Sequence, residues 1–290
     1  MEYIIILLSS FTHFLEQATL KRSNKKNSAG AFLLMGIVSL FSMIFFLAYY
    51  LFGDGSKSDF TPEVIPYAIL AGIFYCTASF LTYIALGCGP FTITMLIISY
   101  SIVLISGYGI LFLGEDASTI TYIAFAIIIL SLYLLRGKDK ETGKKRISLK
   151  WLLSVIISVV TSALFSIIIR EQQVRFNNTV TNECMIISLG LSAVILFAIG
   201  VIQSKRSTPR VLKDTALYGA IAGSANGLTN LLDNILNMMM AISISSPTKS
   251  IVKVTLSLLY SAFILKEKFL PRQIVGIIIG VAATIMLNIA

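Results

Sequence analysis

Apolar residues run through this chain in long unbroken stretches, interrupted by clusters of charge, proline, glycine or asparagine. Cutting at those breaks places segments at residues 2–20, 30–52, 64–86, 90–113, 117–136, 150–170, 181–203, 215–240, 247–265 and 272–289. At about 1.5 Å of rise per residue, a segment of about 20 residues spans the roughly 30 Å of bilayer hydrocarbon. A chain crossing lipid must satisfy its backbone polar groups internally, so these runs predict helices. The expected fold is an all-α integral membrane protein of ten transmembrane helices.

The longest break, Arg136-Gly-Lys-Asp-Lys-Glu-Thr-Gly-Lys-Lys-Arg-Ile-Ser-Leu-Lys150, reads as a solvated charged linker at residues 137–149. It separates residues 1–136 from 150–290, five segments in each half. The halves share a pattern: Tyr67-Ala-Ile-Leu-Ala71-Gly72 recurs as Tyr218-Gly-Ala-Ile-Ala222-Gly223, a shift of 151. Gly114-Glu115 falls on Lys266-Glu267 at a shift of 152, and Arg22 falls near Arg170. Because five is odd, the second copy enters from the opposite face, and the expected arrangement is two inverted five-helix repeats.

Composition agrees: 56% hydrophobic and 13% charged residues, with mean hydropathy +0.87, leave no room for a separate soluble domain. A net charge of +9 and pI near 9.4 would suggest nucleic acid in a soluble protein. Here the basic residues lie between apolar segments, so no nucleic-acid partner is expected and the charge sets topology instead. Links one-two, three-four, five-six, seven-eight and nine-ten carry 4, 0, 7, 4 and 3 Lys and Arg, 18 in all, against Lys57, Arg170 and Arg175 on the other side. The rich side is expected to be cytoplasmic, with both termini outside, in a multi-pass cell-membrane protein. The start, MEYIIILLSSF, reads as a first membrane helix rather than a removed signal peptide. Trp151 reads as an interfacial anchor. Cys76, Cys88 and Cys184 show no metal or disulfide spacing and read as packing residues; no metal and no cofactor are expected.

Polar residues inside the segments carry the candidate chemistry. In the eighth, Asn226, Asn230, Asp233, Asn234 and Asn237 share one stripe about 100° wide at 100° per residue. One aspartate facing lipid costs about 2.5–3.5 kcal/mol, so the stripe must face protein or water. Their repeat partners in the third segment, Tyr75, Ser79, Thr82 and Tyr83, are also polar on one face, and the two stripes are expected to wall a central cavity. In the ninth, Lys249 and Lys253 stand four apart, with Ser246, Ser250, Ser257 and Tyr260 on or beside their face. With Pro247 opening that helix, Lys249 sits in the first turn and can snorkel outward, whereas Lys253 lies about 9 Å in, at a depth where Asp233 is an available partner. In the first, His13 and Glu16 share a face and form a titratable couple suited to proton coupling.

The ten short helices in inverted fives, with Leu113-Gly114-Glu115 and Leu265-Lys266-Glu267 each before a closing apolar helix, resemble the drug/metabolite transporter superfamily, specifically EamA-type permeases. The stretch Phe263-Ile-Leu-Lys-Glu-Lys-Phe-Leu-Pro-Arg-Gln-Ile-Val-Gly-Ile-Ile-Ile-Gly280 looks like the closing segment of that family's second repeat. The family often carries a proline in helices four and nine where this chain has Ser101 and Lys253, and many relatives keep both termini in the cytoplasm. Small members of the superfamily use a helix-one glutamate for proton-coupled export, at a spacing that differs from Glu16.

No HExxH, GxSxG, P-loop or dinucleotide fingerprint is present, so an enzyme is not expected. The expected function is secondary transport of a small polar metabolite, carboxylate-bearing or zwitterionic, by alternating access, proton-coupled or by exchange. The alternatives are a lipid-linked flippase or quaternary-cation exporter, and a non-transporting membrane scaffold. Expected substrate contacts are Lys253, Asp233, Asn230, Asn234, Asn226, Asn237, Lys249, Tyr75, Ser79, Thr82 and Tyr260, with His13 and Glu16 for proton coupling. The expected surroundings are the lipid bilayer and a small-molecule substrate, the chain acting as a monomer or homodimer.

Overall fold

The structure is a computed structural model describing residues 2–23, 30–52, 61–112, 118–135, 148–204, 208–239, 242–267, 269 and 271–289. Among these, helices α1 (Glu2–Ser23), α2 (Ala31–Phe52) and α3 (Ile65–Cys88) are followed by α4 in two pieces, Phe91–Ser99 and Ser101–Phe112. Then come α5 (Thr119–Leu135), α6 (Leu149–Arg175), α7 (Thr181–Ser204), α8 (Thr208–Met239), α9 (Ile242–Tyr260, continued by a π turn Ser261–Leu265) and α10 (Pro271–Ile289). Ten helical segments thus lie where the apolar runs place them. Gly114, Glu115, Lys57 and most of the charged linker lie outside the described residues.

Among the described residues, six helices are long and apolar enough to cross a membrane: α1, α2, α3 with its preceding turn, both pieces of α4 together, α6 and α7. Shorter apolar stretches lie in α5, α9 and α10. Helix α8 is absent from both groups although it has 32 residues, because asparagines, Asp233 and three charges near its start dilute its apolar content.

Helix packing follows the repeat. Helix α3 packs on α6 and α7, while α8 packs on α1 and α2, and exchanging each helix for its repeat mate, five numbers away, turns one set into the other. Helices α2 and α7 pack on each other, as do α5 and α10, so each meets its own repeat mate. The two copies are therefore arranged as inverted repeats about a pseudo-two-fold axis.

Lipid offers no hydrophobic drive between helices, so close backbone approach and hydrogen bonds must hold them. Small residues supply the approach. A Cβ on Gly223 would lie 2.7 Å from both Phe41 Cβ and Val38 O on α2, and one on the repeat-equivalent Gly72 would lie 2.8 Å from Ser188 O on α7. Hydroxyls occupy the same seams: Ser188 Oγ donates to Ala68 O (2.9 Å), and Ser39 and Ser192 pair at 3.1 Å.

Two expectations are corrected. Trp151 is not an exposed interfacial anchor: it is 3% exposed, rests on Gly89, and its indole N–H donates to Thr94 Oγ1 at 2.9 Å. A neighbouring helix with a glycine at the contact leaves room for the indole inside the bundle. Cys76 and Cys184 are buried, whereas Cys88, the last residue of α3, is exposed.

The α4 break falls at Tyr100, beside Ser101. There Tyr100 OH pairs with Ser131 Oγ of α5 (2.7 Å), and Ser131 Oγ reaches Gly276 O of α10 (2.8 Å). In α9 the corresponding departure from the family's proline, Lys253, leaves the helix continuous from Ile242 to Tyr260.

Gly223→Val should lower stability by about 1–3 kcal/mol in mixed-micelle unfolding by dodecyl sulfate, because the added methyls meet α2 backbone. Gly107→Ala, where a Cβ meets nothing within 4 Å, should stay within about 1 kcal/mol of the parent.

Candidate functional site

The ionisable side chains inside the helices converge where α1, α8 and α9 meet. Asp233 Oδ1 lies 3.0 Å from Lys249 Nζ and also accepts a hydrogen bond from Ser9 Oγ of α1. Residues around it close the seam: Thr12 and Thr229 hydroxyls pair at 2.8 Å, and Ser10 Oγ reaches Lys249 O at 3.4 Å. Lys249 is 8% exposed by side chain and Asp233 26%, so the pair is mostly withdrawn from solvent.

The partner of Asp233 is therefore Lys249, not Lys253, and Lys249 does not snorkel. Helix α9 begins at Ile242 rather than at Pro247, which moves Lys249 about 10 Å into the helix, level with Asp233 about 9 Å before the end of α8. Four residues further on, Lys253 passes that level by another turn. It makes no hydrogen bond or ion pair among the described residues and lies within electrostatic reach of Asp233, Lys249 and Glu16.

The α1 couple joins the same cluster. His13 Nδ1 lies 3.4 Å from Glu16 Oε2, with Glu16 3% exposed, and that oxygen makes no hydrogen bond. His13, Glu16, Asp233, Lys249 and Lys253 thus form one group of two acids, two lysines and one imidazole. The lysines can balance the carboxylates with the imidazole neutral, which is the arrangement a low-dielectric site requires.

Beside the charges is a carboxamide node. Asn226 Oδ1 accepts from Tyr75 OH (2.6 Å) and Asn230 Nδ2 (2.9 Å), with Ser42 Oγ also at 2.8 Å. Tyr75 and Asn226 are 151 residues apart, so repeat-equivalent residues from the two halves bond to each other, which places the node at the pseudo-two-fold axis. Next along α8, Asn234 Nδ2 is a buried donor without a partner.

The other expected wall residues lie elsewhere. Thr82 Oγ1 pairs with Ser158 Oγ of α6 at 2.6 Å, and Ser79 Oγ turns back to Cys76 O at 3.2 Å in its own helix. Helix α3 therefore brings Tyr75 to the asparagine stripe but turns Ser79 and Thr82 away from it. Tyr260 is seven residues, about 10 Å, along α9 from Lys253 and packs edge-on against Phe14 (5.5 Å) and Phe91 (5.3 Å). The side chains of Asn237 and Ser246 lie outside the described residues. An open apolar groove lined by Ile37, Phe41, Phe197 and Leu217 sits between α2, α7 and α8, near the start of α8 and away from the charges.

One contact between the halves was not foreseen. Glu267, in the Leu265-Lys266-Glu267 motif, accepts from Phe91 N at the start of α4 with both carboxylate oxygens at 3.0 Å. Ser261 Oγ donates to it at 3.0 Å, and Lys21 Nζ lies 3.9 Å away. Lys21 in turn donates to Leu86 O and Gly89 O, each at 2.7 Å, at the end of α3. An acid on free helix N–H groups and a cation on free carbonyls complement both helix ends at one turn. The only sequence signal was the recurrence of the glutamate in both halves.

An all-helical membrane bundle of inverted repeats with a polar site between helices defines a membrane transporter-type protein. Residues 1–137 match the EamA-like transporter family, a match that supports membership of the drug/metabolite transporter superfamily. Solved structures share the fold: one titled "Crystal structure of protein" aligns with TM-score 0.64 over 98% of this chain and 96% of that one, at 14% identity. No curated protein matches the sequence significantly.

Asp233→Asn and Lys249→Met each leave a charge unpaired in the bundle and should each cost about 2–4 kcal/mol. The double variant should cost about 1–3 kcal/mol less than their sum in a mixed-micelle unfolding cycle. Strict additivity would show that the two side chains are uncoupled.

Proposed function

We propose that the chain is a secondary transporter, not an enzyme, for a small metabolite bearing a carboxylate, and that Lys253 receives that group. The observation that carries this reading is the state of Lys253: a cation within the bundle, without a direct partner among the described residues, beside an aspartate that Lys249 and Ser9 engage. The nearest acid in register, Asp233, is held by Lys249 and Ser9. A substrate carboxylate supplies the missing direct partner, and Asn234 Nδ2 offers a donor for its second oxygen. If the substrate also bears an amine, Glu16, which contacts His13 but no lysine among the described residues, is the acid to meet it.

The two halves would rock about the Tyr75–Asn226 node, exposing the site to each side in turn, with His13 and Glu16 taking part in proton coupling. Asn226 and Asn230, bonded to each other along α8, then act as the frame of the site with Tyr75 across the axis. We place the side rich in Lys and Arg in the cytoplasm and the termini outside, in the cell membrane, and read the transporting unit as a monomer or homodimer.

Lys253→Gln should abolish uptake of a carboxylate substrate into proteoliposomes, a loss of about 100-fold or more, while leaving unfolding stability unchanged or higher, because no bond is broken and a desolvated charge is removed. Parental transport by Lys253→Gln would dispose of the anion-contact role. Orientation is checked separately: cysteines placed at residues 137–149 should resist impermeant maleimide in intact cells, and ready labelling there would reverse the assignment.

A further inference from the structure

Between the charged cluster and the end of the molecule formed by Lys21, Gly89 and Glu267 lies a layer of three rings. Phe14 of α1, Phe91 of α4 and Tyr260 of α9 meet edge to face, with centroids 5.3 to 6.4 Å apart. Phe14 is the neighbour of His13 and lies two residues from Glu16, so this layer adjoins the ionisable group. It is built from both halves: Phe14 and Phe91 come from the first, Tyr260 from the second.

Two of the contacts just beyond the rings also cross between halves, Thr92 to Ser261 and Phe91 to Glu267. Thr92 Oγ1 donates to Ser261 Oγ (2.8 Å), Ser261 Oγ donates to Glu267 Oε2 (3.0 Å), and Glu267 accepts from Phe91 N. Thr92 and Ser261 are fully buried. Glu267 reaches this position because Lys266 holds a left-handed backbone, φ 52°, which folds the chain back after the π turn so that Glu267 N donates to Ser261 O at 3.0 Å. A lysine in that region is strained, and such positions persist only where surrounding contacts hold them.

We infer that Phe14, Phe91 and Tyr260 form a gate that closes the site toward the side of links one-two, three-four and nine-ten, and that Glu267 is the latch holding it shut. The latch acts through Phe91: the residue whose ring sits in the gate is the residue whose backbone N–H the carboxylate holds. Separating the halves at this end breaks the Glu267–Phe91 and Thr92–Ser261 bonds together and draws Tyr260 away from the other two rings. Water then takes the place of Glu267 at the α4 start, while Lys21 keeps its carbonyls within the first half. Polar contacts at the rim can exchange for water, and the aromatic contacts beneath give the closed state its seal. The inference rests on the alternating-access reading above, but its test reads exposure of the site and needs no substrate.

The experiment uses the full chain with Cys88→Ser, Cys76 and Cys184 being buried, and one reporter cysteine at Asn230. Vesicles of known sidedness are treated with an impermeant methanethiosulfonate. From the side of the latch, Glu267→Ala should speed labelling of the reporter at least fivefold, Glu267→Gln should fall between it and the parent, and labelling from the opposite side should not rise. An unchanged rate in monodisperse Glu267→Ala protein, or an equal rise from both sides, would overturn the latch. Should Glu267→Ala fail to fold, the pair Thr92→Cys and Ser261→Cys, placed where the hydroxyls now touch, serves instead. Oxidation should stop labelling from the latch side, leave the other side reactive, and be reversed by reductant; equal labelling before and after oxidation, or loss from both sides, overturns the gate. A gate that opens in the reporter protein while the chain that keeps Asn230 shows no carboxylate flux would remove the substrate reading and leave the latch standing, whereas flux in that chain with no labelling change in the reporter protein would do the reverse.

Discussion

Charge inside hydrocarbon is the constraint from which the rest of this structure follows. An isolated carboxylate or ammonium in a transmembrane helix is costly, and the cost falls only when opposite charge and hydrogen-bond donors are brought within contact. Asp233 meets that demand with Lys249 and Ser9, which ties α8 to α9 and α1 in one step. With those three helices joined, His13 and Glu16 are carried to the same place, and Lys253 is held beside them. The glycines of α8 make this possible on the other face, since only a backbone without side chains lets α2 come close enough for Ser42 to reach Asn226.

The two halves share a frame but not a charge. Shifting Asp233 by 151 residues gives Thr82, and the hydroxyl partner changes in step: Ser9 on α1 for Asp233, Ser158 on α6 for Thr82. The same seam between neighbouring helices is thus polar and neutral in one copy and ionic in the other. A two-fold frame with its charges on one side makes the site asymmetric although the packing around it is symmetric.

Much of this was legible in the sequence, for reasons that differ by level. The helices follow from apolar runs because lipid permits few alternatives, and the inversion follows from an odd number of them. That Asp233 needs a lysine beside it follows from the cost of leaving either in lipid, whereas the approach of His13 and Glu16 to them was not legible. The pairing within that group was not legible, because it depends on where α9 begins: a start at Ile242 instead of Pro247 moves Lys249 into register with Asp233. Ser79 and Thr82 misled for a related reason. A hydroxyl on a helix has its own carbonyls and neighbouring seams available, so a polar face is not by itself a cavity face. Glu267 stayed hidden because its role lies in bonds to another helix's backbone, which leaves no mark on residue types.

Trp151 is the one tryptophan of the chain. It is buried against Gly89, with its indole bonded to Thr94, three and two residues from Phe91 and Thr92. All indole emission from this protein therefore originates at a single point, on the backbone turn that Lys21 and Glu267 hold. Any rearrangement that wets this turn will shift the emission to longer wavelength and expose it to iodide, and one that keeps it dry will not. The molecule carries its own optical gauge of the state of that end, with no label to attach.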